Sequence, residues 1–215
     1  MFRNFSLLGA LISLPGILLG FTFHEYAHAY MAVKFGDPTP KMDGRLTVNP
    51  LAHVDIWGLL LILVTGFGWA KPVRTNPSYY RGDIRQKELI VSFSGPVANL
   101  IIAFAAAFIY VMLSKFGIFY KMGSSSLEII LAIFGTTIWI NCVLFVFNLV
   151  PIPPLDGFHI LLDIFPQIPY RLVYAMERYG YIVLLIFVIS GASNTIIGGG
   201  ASIIFNFIQR LMLLL

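Results

Sequence analysis

The stretch Phe23-His24-Glu25-Tyr26-Ala27-His28 lies inside a long apolar segment, and the rest of the chain is best understood from it outward. On a helix, His24 and His28 share one face, one turn apart, with Glu25 beside them. This H-E-x-x-H spacing lets two neutral imidazoles bind one metal ion while the carboxylate accepts a proton from water. A helical histidine pair alone is often only hydrogen-bonded. Ionisable side chains at membrane depth are costly and usually functional, so we interpret the three residues as a metal site.

The composition is that of an integral membrane protein. Hydrophobic residues make up 58% of the 215 residues and charged residues 11%, and the mean hydropathy is +0.85. Of five uncharged runs, all but the second reach the roughly 20 apolar residues that a membrane-spanning helix needs. The runs are 4–23, 56–70, 89–114, 129–155 and 179–209. Spanning segments must be helical, because lipid offers the backbone no hydrogen-bond partners.

Other features of the composition narrow the class further. The net charge of +4 fits basic cytoplasmic loops better than nucleic-acid binding, since no DNA- or RNA-binding motif accompanies it. Cys142 is the only cysteine, so no internal disulfide can form. The first apolar run follows Arg3 as in a signal sequence but has no small-residue cleavage pattern, and we expect it to remain in the mature protein.

The pattern of apolar segments, glycines and prolines predicts an all-α polytopic membrane protein. The first helix should end at the strong stop Gly36-Asp37-Pro38. The polar connection to Asp55 should be a loop with a short hairpin strand at Arg45–Val48. Residues 56–70, interrupted by Gly58, Gly66 and Gly68, are more typical of a re-entrant or interfacial segment than of a span. The predicted helices cover about 5–34, 88–114 and 127–149, with one or two more between 172 and 214 separated by Gly191 and by Gly198-Gly199-Gly200.

The sequence from Asn148 to Gly157 predicts a broken helix. Pro151, Pro153 and Pro154 cannot continue a helix, and unwound backbone at membrane depth is tolerated only around a cavity or inside protein. Asp156 should therefore face an interior site, where it is the best candidate for a third metal ligand. His53 and His159 are the alternatives, although each is more simply explained by ordinary hydrogen bonds. Pro96 should kink the 88–114 helix, and Asn99 should find a partner on a neighbouring helix.

Three motifs together resemble one known family. They are HEYAH in the first helix, GPVAN at 95–99 and NLVPIPPLDG at 148–157, and their order is that of the site-2 protease family of intramembrane zinc metalloproteases. The similarity covers roughly residues 15–165. It implies a three-helix core, one zinc ion per chain with His24, His28 and Asp156 as ligands, and Glu25 as the general base. It also implies that Asn148 lies near the scissile carbonyl.

The resemblance implies an intramembrane zinc metalloendopeptidase that acts on transmembrane protein substrates within the lipid bilayer. The alternative is a zinc-binding membrane protein without hydrolytic activity, such as a pseudoprotease chaperone or a transporter. Two departures are visible: no peptide-binding domain is inserted between the helices, and DGFH replaces the more common DGG or DG-x-R, which leaves the role of His159 open. We expect one domain over residues 1–215, with the core at about 5–165 and further helices at about 172–215. The substrate strand could pair with Arg45–Val48.

The charge distribution predicts the orientation. The three motifs can converge only if the first helix ends, and the 88–114 helix begins, on one side of the membrane, so residues 56–70 must enter and return. One side then carries ten lysines and arginines, against Arg3, Lys115 and Lys121 on the other. The ten are Lys34, Lys41, Arg45, Lys71, Arg74, Arg81, Arg85, Lys87, Arg171 and Arg178. The positive-inside rule then places the site toward the cytoplasm, in what we expect to be a prokaryotic plasma membrane.

Overall fold

The computed structural model describes residues 6–65 and 68–215, and these residues form nine α-helices and no strand. The helices are α1 (Leu7–Phe35), α2 (Thr39–Met42), α3 (Pro50–His53), α4 (Ile56–Thr65), α5 (Ile84–Lys115), α6 (Ser124–Asn148), α7 (Asp156–Ile164), α8 (Tyr170–Ile189) and α9 (Ala192–Met212). Helices α1, α5, α6 and α8 are long and apolar enough to cross a membrane. Three positions named in the sequence analysis lie outside the described residues: Arg3, Gly66 and residue 5, with which the first predicted helix begins.

Helix α1 begins and ends at local sequence signals. The Oγ of Ser6 accepts a hydrogen bond from the amide of Gly9 at 3.3 Å, which satisfies one of the free N–H groups of the first turn. Gly36 has a φ of 113°, in the left-handed region, and its amide donates to the carbonyl of Val33 at 3.0 Å. The predicted stop at Gly36-Asp37-Pro38 is confirmed.

Helices α1, α5 and α6 pack against one another more extensively than any other elements of the described chain. Small residues permit this: a Cβ added to Gly16 would overlap the Thr137 backbone, and one added to Gly20 would overlap the Asn141 side chain. Lipid is as apolar as the helix surfaces, so close packing and interhelical hydrogen bonds hold such helices together. The predicted three-helix core is present.

The connection between α1 and α5 differs from the sequence-based prediction. The hairpin strand predicted at Arg45–Val48 is wrong: these residues form the bend between α2 and α3. Pro40 and Pro50 lie in the first turns of those short helices, where a missing N–H costs nothing, and so they favour helical turns over a strand. The guanidinium of Arg45 is buried and donates to the carbonyl oxygens of Ala52 and Lys71, which ties the bend down.

Helix α4 is short, and Ala70 lies back beside the residues that precede the helix. Its 10 residues rise about 15 Å, roughly half of the ~30 Å hydrocarbon core. Ala70 then pairs with Val54 in an isolated antiparallel bridge. A Cβ on Gly58 would overlap the carbonyl of Trp69, so the glycine makes room for the returning chain. The two ends of this segment therefore lie side by side, as a re-entrant segment requires.

Both ends of the connection also meet. The amide of Arg81 donates to the carbonyl of Phe35 at 3.2 Å, and the amide of Asn76 donates to Asp37 Oδ2 at 2.6 Å. The end of α1 and the start of α5 consequently lie at the same end of the helix bundle.

The predicted break after α6 is confirmed. Helix α6 ends at Asn148, residues 149–155 form turns and bends, and helix α7 begins at Asp156. The chain returns so tightly that a Cβ on Gly157 would overlap the backbone of Leu149. Asp156 is thereby held at the first turn of a helix that packs against α5.

The C-terminal part forms two helices. Gly191, with a φ of 79°, separates α8 from α9, whereas Gly198-Gly199-Gly200 lies inside α9 and breaks nothing. Helix α9 packs on α6, with Ala201 and Ile208 fully buried. Helix α8 exposes most of its large apolar side chains, as expected for a lipid-facing helix.

Candidate metal centre

Helix α1 presents both histidines to the interior of the bundle. His24 and His28 are buried, and their Nε2 atoms are 3.1 Å apart. The four-residue spacing places one imidazole a turn below the other, as the sequence predicted. Glu25 is buried beside them.

Asp156 completes a triangle of ligand atoms. Its Oδ2 lies 3.2 Å from the Nε2 of His24 and 3.3 Å from the Nε2 of His28. Ligands at about 2.0–2.1 Å from a tetrahedral zinc are about 3.3 Å apart, so the three atoms have the spacing that zinc requires. Among the described residues these three form the one His/Cys/Asp/Glu group close enough to hold a metal ion.

The protons of both imidazoles are directed away from the triangle. His28 Nδ1 lies 2.8 Å from the Val91 carbonyl oxygen, which can only accept, so His28 Nδ1 carries the proton. His24 Nδ1 lies 2.8 Å from Asn99 Oδ1. Both Nε2 atoms then present lone pairs to Asp156 Oδ2, which is buried without a hydrogen-bond donor. Three acceptors that face one another need a cation between them, and the chemistry of the donor set therefore fits zinc.

Glu25 is held by a segment that follows α4. Its Oε2 accepts a hydrogen bond from the Val73 amide at 2.8 Å. The same segment is fixed on either side of Val73, by the Arg45 contact at Lys71 and by the Asp37 contact at Asn76. One oxygen of the Glu25 carboxylate therefore has a fixed partner within the protein, and the carboxylate has a fixed position.

The closest wall of the site is the glycine of the GPVAN motif. A Cβ on Gly95 would overlap Nε2 of His28 and approach Cε1 of His24 more closely than atoms pack. Pro96 lies inside α5 immediately after it and is fully buried. Helix α5 thus contributes three features to the centre: the Val91 carbonyl, the open backbone at Gly95 and the Asn99 amide.

The other candidates from the sequence lie elsewhere. His53 is fully buried and its Nε2 donates to the Thr47 carbonyl at 2.7 Å, whereas His159 is exposed and makes an edge contact with the Phe158 ring. Neither belongs to the metal-holding group. Asn148 uses Nδ2 to donate to the Leu144 carbonyl one turn back, at 3.0 Å.

Sequence reasoning missed three contributors to the centre, one of which is the Val91 carbonyl that accepts from His28. Asn141 is fully buried on α6 and bonds to Asn99, and Val73 reaches Glu25 through its backbone. A usable signal for Asn141 existed: Gly16 and Gly20 precede His24 at four-residue intervals, which marks one helix face as a close-packed interface. A backbone contact such as that of Val73 leaves no mark in a side-chain pattern.

Comparison with known proteins agrees with this geometry. A model of peptidase family M50 matches residues 12–191. The chain is 44% identical over 171 residues to YwhC of Bacillus subtilis, which covers 79% of this chain and 76% of YwhC. It is 33% identical over 162 residues to MJ0611 of Methanocaldococcus jannaschii, an alignment that covers 74% of each chain. It is 29% identical over 198 residues to Rip2 of Mycolicibacterium smegmatis, which covers 89% of this chain and 72% of Rip2. Each of the three bears the name "Putative zinc metalloprotease". No solved structure matches the chain.

The family match spans most of the chain and includes all the residues of the ligand triangle. A bundle with four helices apolar enough to cross a membrane and a zinc-compatible triangle are what such a protein requires. The chain therefore belongs to peptidase family M50, the site-2 protease family of zinc metalloproteases.

Proposed function

We propose that this protein is an intramembrane zinc metalloendopeptidase that hydrolyses peptide bonds within transmembrane segments of membrane proteins. The observation that carries the proposal is the triangle of His24, His28 and Asp156 with Glu25 beside it, in which His24, Glu25 and His28 lie on a helix long and apolar enough to span a membrane. The motif-bearing core and the C-terminal helices act as one domain, embedded in the bilayer with its catalytic end toward the cytoplasm.

His24, His28 and Asp156 would hold one zinc ion. Zinc bound there would supply Lewis acidity, which polarises a peptide carbonyl and makes water more nucleophilic near neutral pH. The three protein ligands leave a fourth position free for water or substrate, as catalytic zinc sites do.

Glu25 acts as the general base and then as the general acid. Its Oε2 is occupied by the Val73 amide, and the remaining lone pairs of the carboxylate can accept a proton from the attacking water. The proton then passes to the amine that leaves when the C–N bond breaks. Because the carboxylate is fixed beside its helix, little reorganisation is needed at the moment of transfer.

Asn148 donates a hydrogen bond to the oxygen of the carbonyl under attack. An asparagine Nδ2 carries two N–H groups, and the contact with Leu144 uses one of them. A well-placed donor of this kind stabilises the developing negative charge by about 3 kcal/mol. The substrate has to unwind locally, since a helix keeps its carbonyl groups in internal hydrogen bonds.

The proposal is tested with Glu25→Gln, purified in detergent and assayed on a model transmembrane substrate. We expect cleavage to fall by at least about 100-fold while zinc content stays near one per chain, because glutamine keeps the shape but cannot take the proton. Glu128→Gln, at an exposed position near the start of α6, serves as the matched control and should cleave normally. Unchanged cleavage by Glu25→Gln, or zinc binding without any cleavage by the wild-type protein, would favour the non-proteolytic alternative.

A further inference from the structure

Two buried asparagines connect the metal centre to all three core helices. Asn99 on α5 and Asn141 on α6 are both completely buried. They bond to each other, with Asn99 Nδ2 donating to Asn141 Oδ1 at 3.2 Å. Such groups are expensive to bury in an apolar bundle unless every polar atom has a partner, and each side-chain polar atom of this pair has one.

The direction of each hydrogen bond from Asn141 through Asn99 to His24 is determined by the partners of Asn141. Asn141 Nδ2 lies 3.2 Å from the Gly16 carbonyl oxygen and 2.9 Å from the Thr137 carbonyl oxygen. Carbonyl oxygens only accept, so the amide nitrogen of Asn141 must point toward them and its oxygen toward Asn99. A flipped Asn141 would set its oxygen against two other oxygens.

The same constraint passes to Asn99. Its Nδ2 donates to the Asn141 oxygen and also to the Gly20 carbonyl at 3.0 Å, so its oxygen must face His24. An amide oxygen cannot donate, and His24 must therefore carry its proton on Nδ1, 2.8 Å away. The lone pair of His24 is then on Nε2, directed at Asp156 Oδ2 and the metal position.

We propose that Asn99 is a positioning residue for zinc binding, which fixes the tautomer and orientation of His24, and that Asn141 orients Asn99 for this role. Gly16 and Gly20 make this arrangement possible. A side chain at Gly16 would block the approach of Thr137, and one at Gly20 would block the approach of Asn141. The hydrogen bonds that the Gly16 and Gly20 carbonyls accept from the two asparagines would then be lost. The inference rests on the proposed zinc site but does not require that the protein be a protease.

The test measures zinc affinity by competition with a chelator in detergent, beside the melting temperature of the zinc-free protein. Asn99→Leu removes the acceptor for His24 and should weaken zinc binding about 10- to 100-fold, as is usual when the hydrogen-bond partner of a ligand is lost. Asn99→Asp keeps an acceptor for His24 but loses the donors to Gly20 and Asn141. It should therefore bind zinc within about threefold of wild type although its melting temperature falls.

Asn141→Leu is the comparison variant. It loses the bonds to Gly16 and Thr137 and one of the two acceptors that orient Asn99, whereas the Gly20 carbonyl still accepts from Asn99. Zinc affinity should therefore fall by less than about tenfold. If the asparagines only held the helices together, Asn99→Asp would lose zinc as severely as Asn99→Leu. That result, or wild-type affinity in Asn99→Leu, would overturn the proposal.

A measurement on the unmutated protein covers the case in which the variants fail to fold. The chain has 4 histidines, and ¹⁵N labelling distinguishes the two neutral tautomers by their nitrogen chemical shifts. We expect His24 in the zinc-free protein to carry its proton on Nδ1. A proton on Nε2 would contradict the inference, whereas the absence of proteolysis would bear only on the proposed function.

Discussion

At the scale of single residues, the two histidines and the aspartate of the ligand triangle are positioned in different ways. His24 and His28 gain their geometry from one turn of helix, and each has an acceptor on α5 that holds its proton away from the metal. Asp156 instead depends on a turn that only its neighbour Gly157 can make, since a Cβ there would overlap the Leu149 backbone.

The ligand set is tested by alanine substitution and zinc content after purification. His24→Ala, His28→Ala and Asp156→Ala should each lower bound zinc to well below one per chain, because two ligands hold zinc weakly. His53→Ala and His159→Ala should retain it, since neither lies in the triangle. His53→Ala should nonetheless lower stability by about 2 kcal/mol, because a fully buried side chain is lost. Full zinc in Asp156→Ala would exclude Asp156 as a ligand.

Gly95→Ala tests the open wall of the centre. The added methyl group would occupy space now held by both imidazoles, so zinc affinity and cleavage should both fall by at least about tenfold. Gly135→Ala on α6 is the matched control, because a Cβ there meets open space. It should leave zinc binding unchanged and, as a helical glycine replaced by alanine, stabilise the protein by up to about 1 kcal/mol. Equal effects of the two substitutions would contradict the close packing at Gly95.

At the scale of elements, α7 is anchored to α5 at the end opposite Asp156. The Arg85 guanidinium donates to the carbonyl oxygens of Asp163 and Ile164, the last residues of the helix. A cation at a helix C-terminus is favourable because it complements free carbonyls and the helix dipole. The position of Asp156 thus depends on both ends of a nine-residue helix.

Asp163 makes this anchor sensitive to pH. The pKa of its carboxyl is raised to about 6: burial and the nearby Glu88 raise the pKa, and Arg85 opposes the shift. The folded protein then binds more protons than the unfolded chain between pH ~4 and 6, so stability falls as pH rises through that window. Asp163→Asn removes the penalty and should be more stable than wild type at pH 7 by about 1 kcal/mol after solvent screening.

Thermal unfolding in detergent at pH 4 and pH 7 measures this effect. The advantage of Asp163→Asn should be present at pH 7 and absent at pH 4, where wild-type Asp163 is protonated in the folded protein. An advantage of the same size at both pH values would point to packing rather than to the charge.

At the scale of the whole molecule, the connection from 36 to 83 decides the topology. The hydrogen bond between Phe35 and Arg81 brings the two ends of the connection together. The bridge between Val54 and Ala70 does the same for the two ends of the segment that contains α4. The basic residues of this connection accordingly lie at the end of the bundle where α1 ends and α5 begins. With the positive-inside rule, this arrangement supports a cytoplasmic active site.

Cysteine labelling with an impermeant thiol reagent in oriented cells tests the topology. In a Cys142→Ser background, Thr39→Cys and Ser78→Cys should be labelled from the same, cytoplasmic side. Cys142 is fully buried, so the reagent should not reach it, and its replacement should not change the labelling of the introduced cysteines. Ser125→Cys is at the exposed start of α6, which follows the far end of α5, and should be labelled only from the opposite side. Opposite accessibility of Thr39→Cys and Ser78→Cys would mean that residues 56–70 span the membrane.

The sequence by itself determined the features that depend on neighbouring residues. The period of a helix placed His24 and His28 on one face, Gly36 ended α1, and Pro151, Pro153 and Pro154 broke the chain before Asp156. The short length of the 56–70 run likewise predicted a segment that does not cross the membrane. Local backbone preferences and the thickness of a bilayer are sufficient for such conclusions.

Only the tertiary structure decided which distant groups meet. Asp156, His53 and His159 were all chemically able to complete the triangle, and the packing of α7 against α5 brought Asp156 there. Arg45–Val48 had the alternation of a strand, but a strand needs a partner to pair with, and the guanidinium of Arg45 turned inward to other carbonyls instead. The contacts of Asn141 and Val73 join residues 42 and 48 positions apart in the chain. Their energies arise only when the helices pack, because a hydrogen bond between distant residues leaves no local preference for the sequence to display.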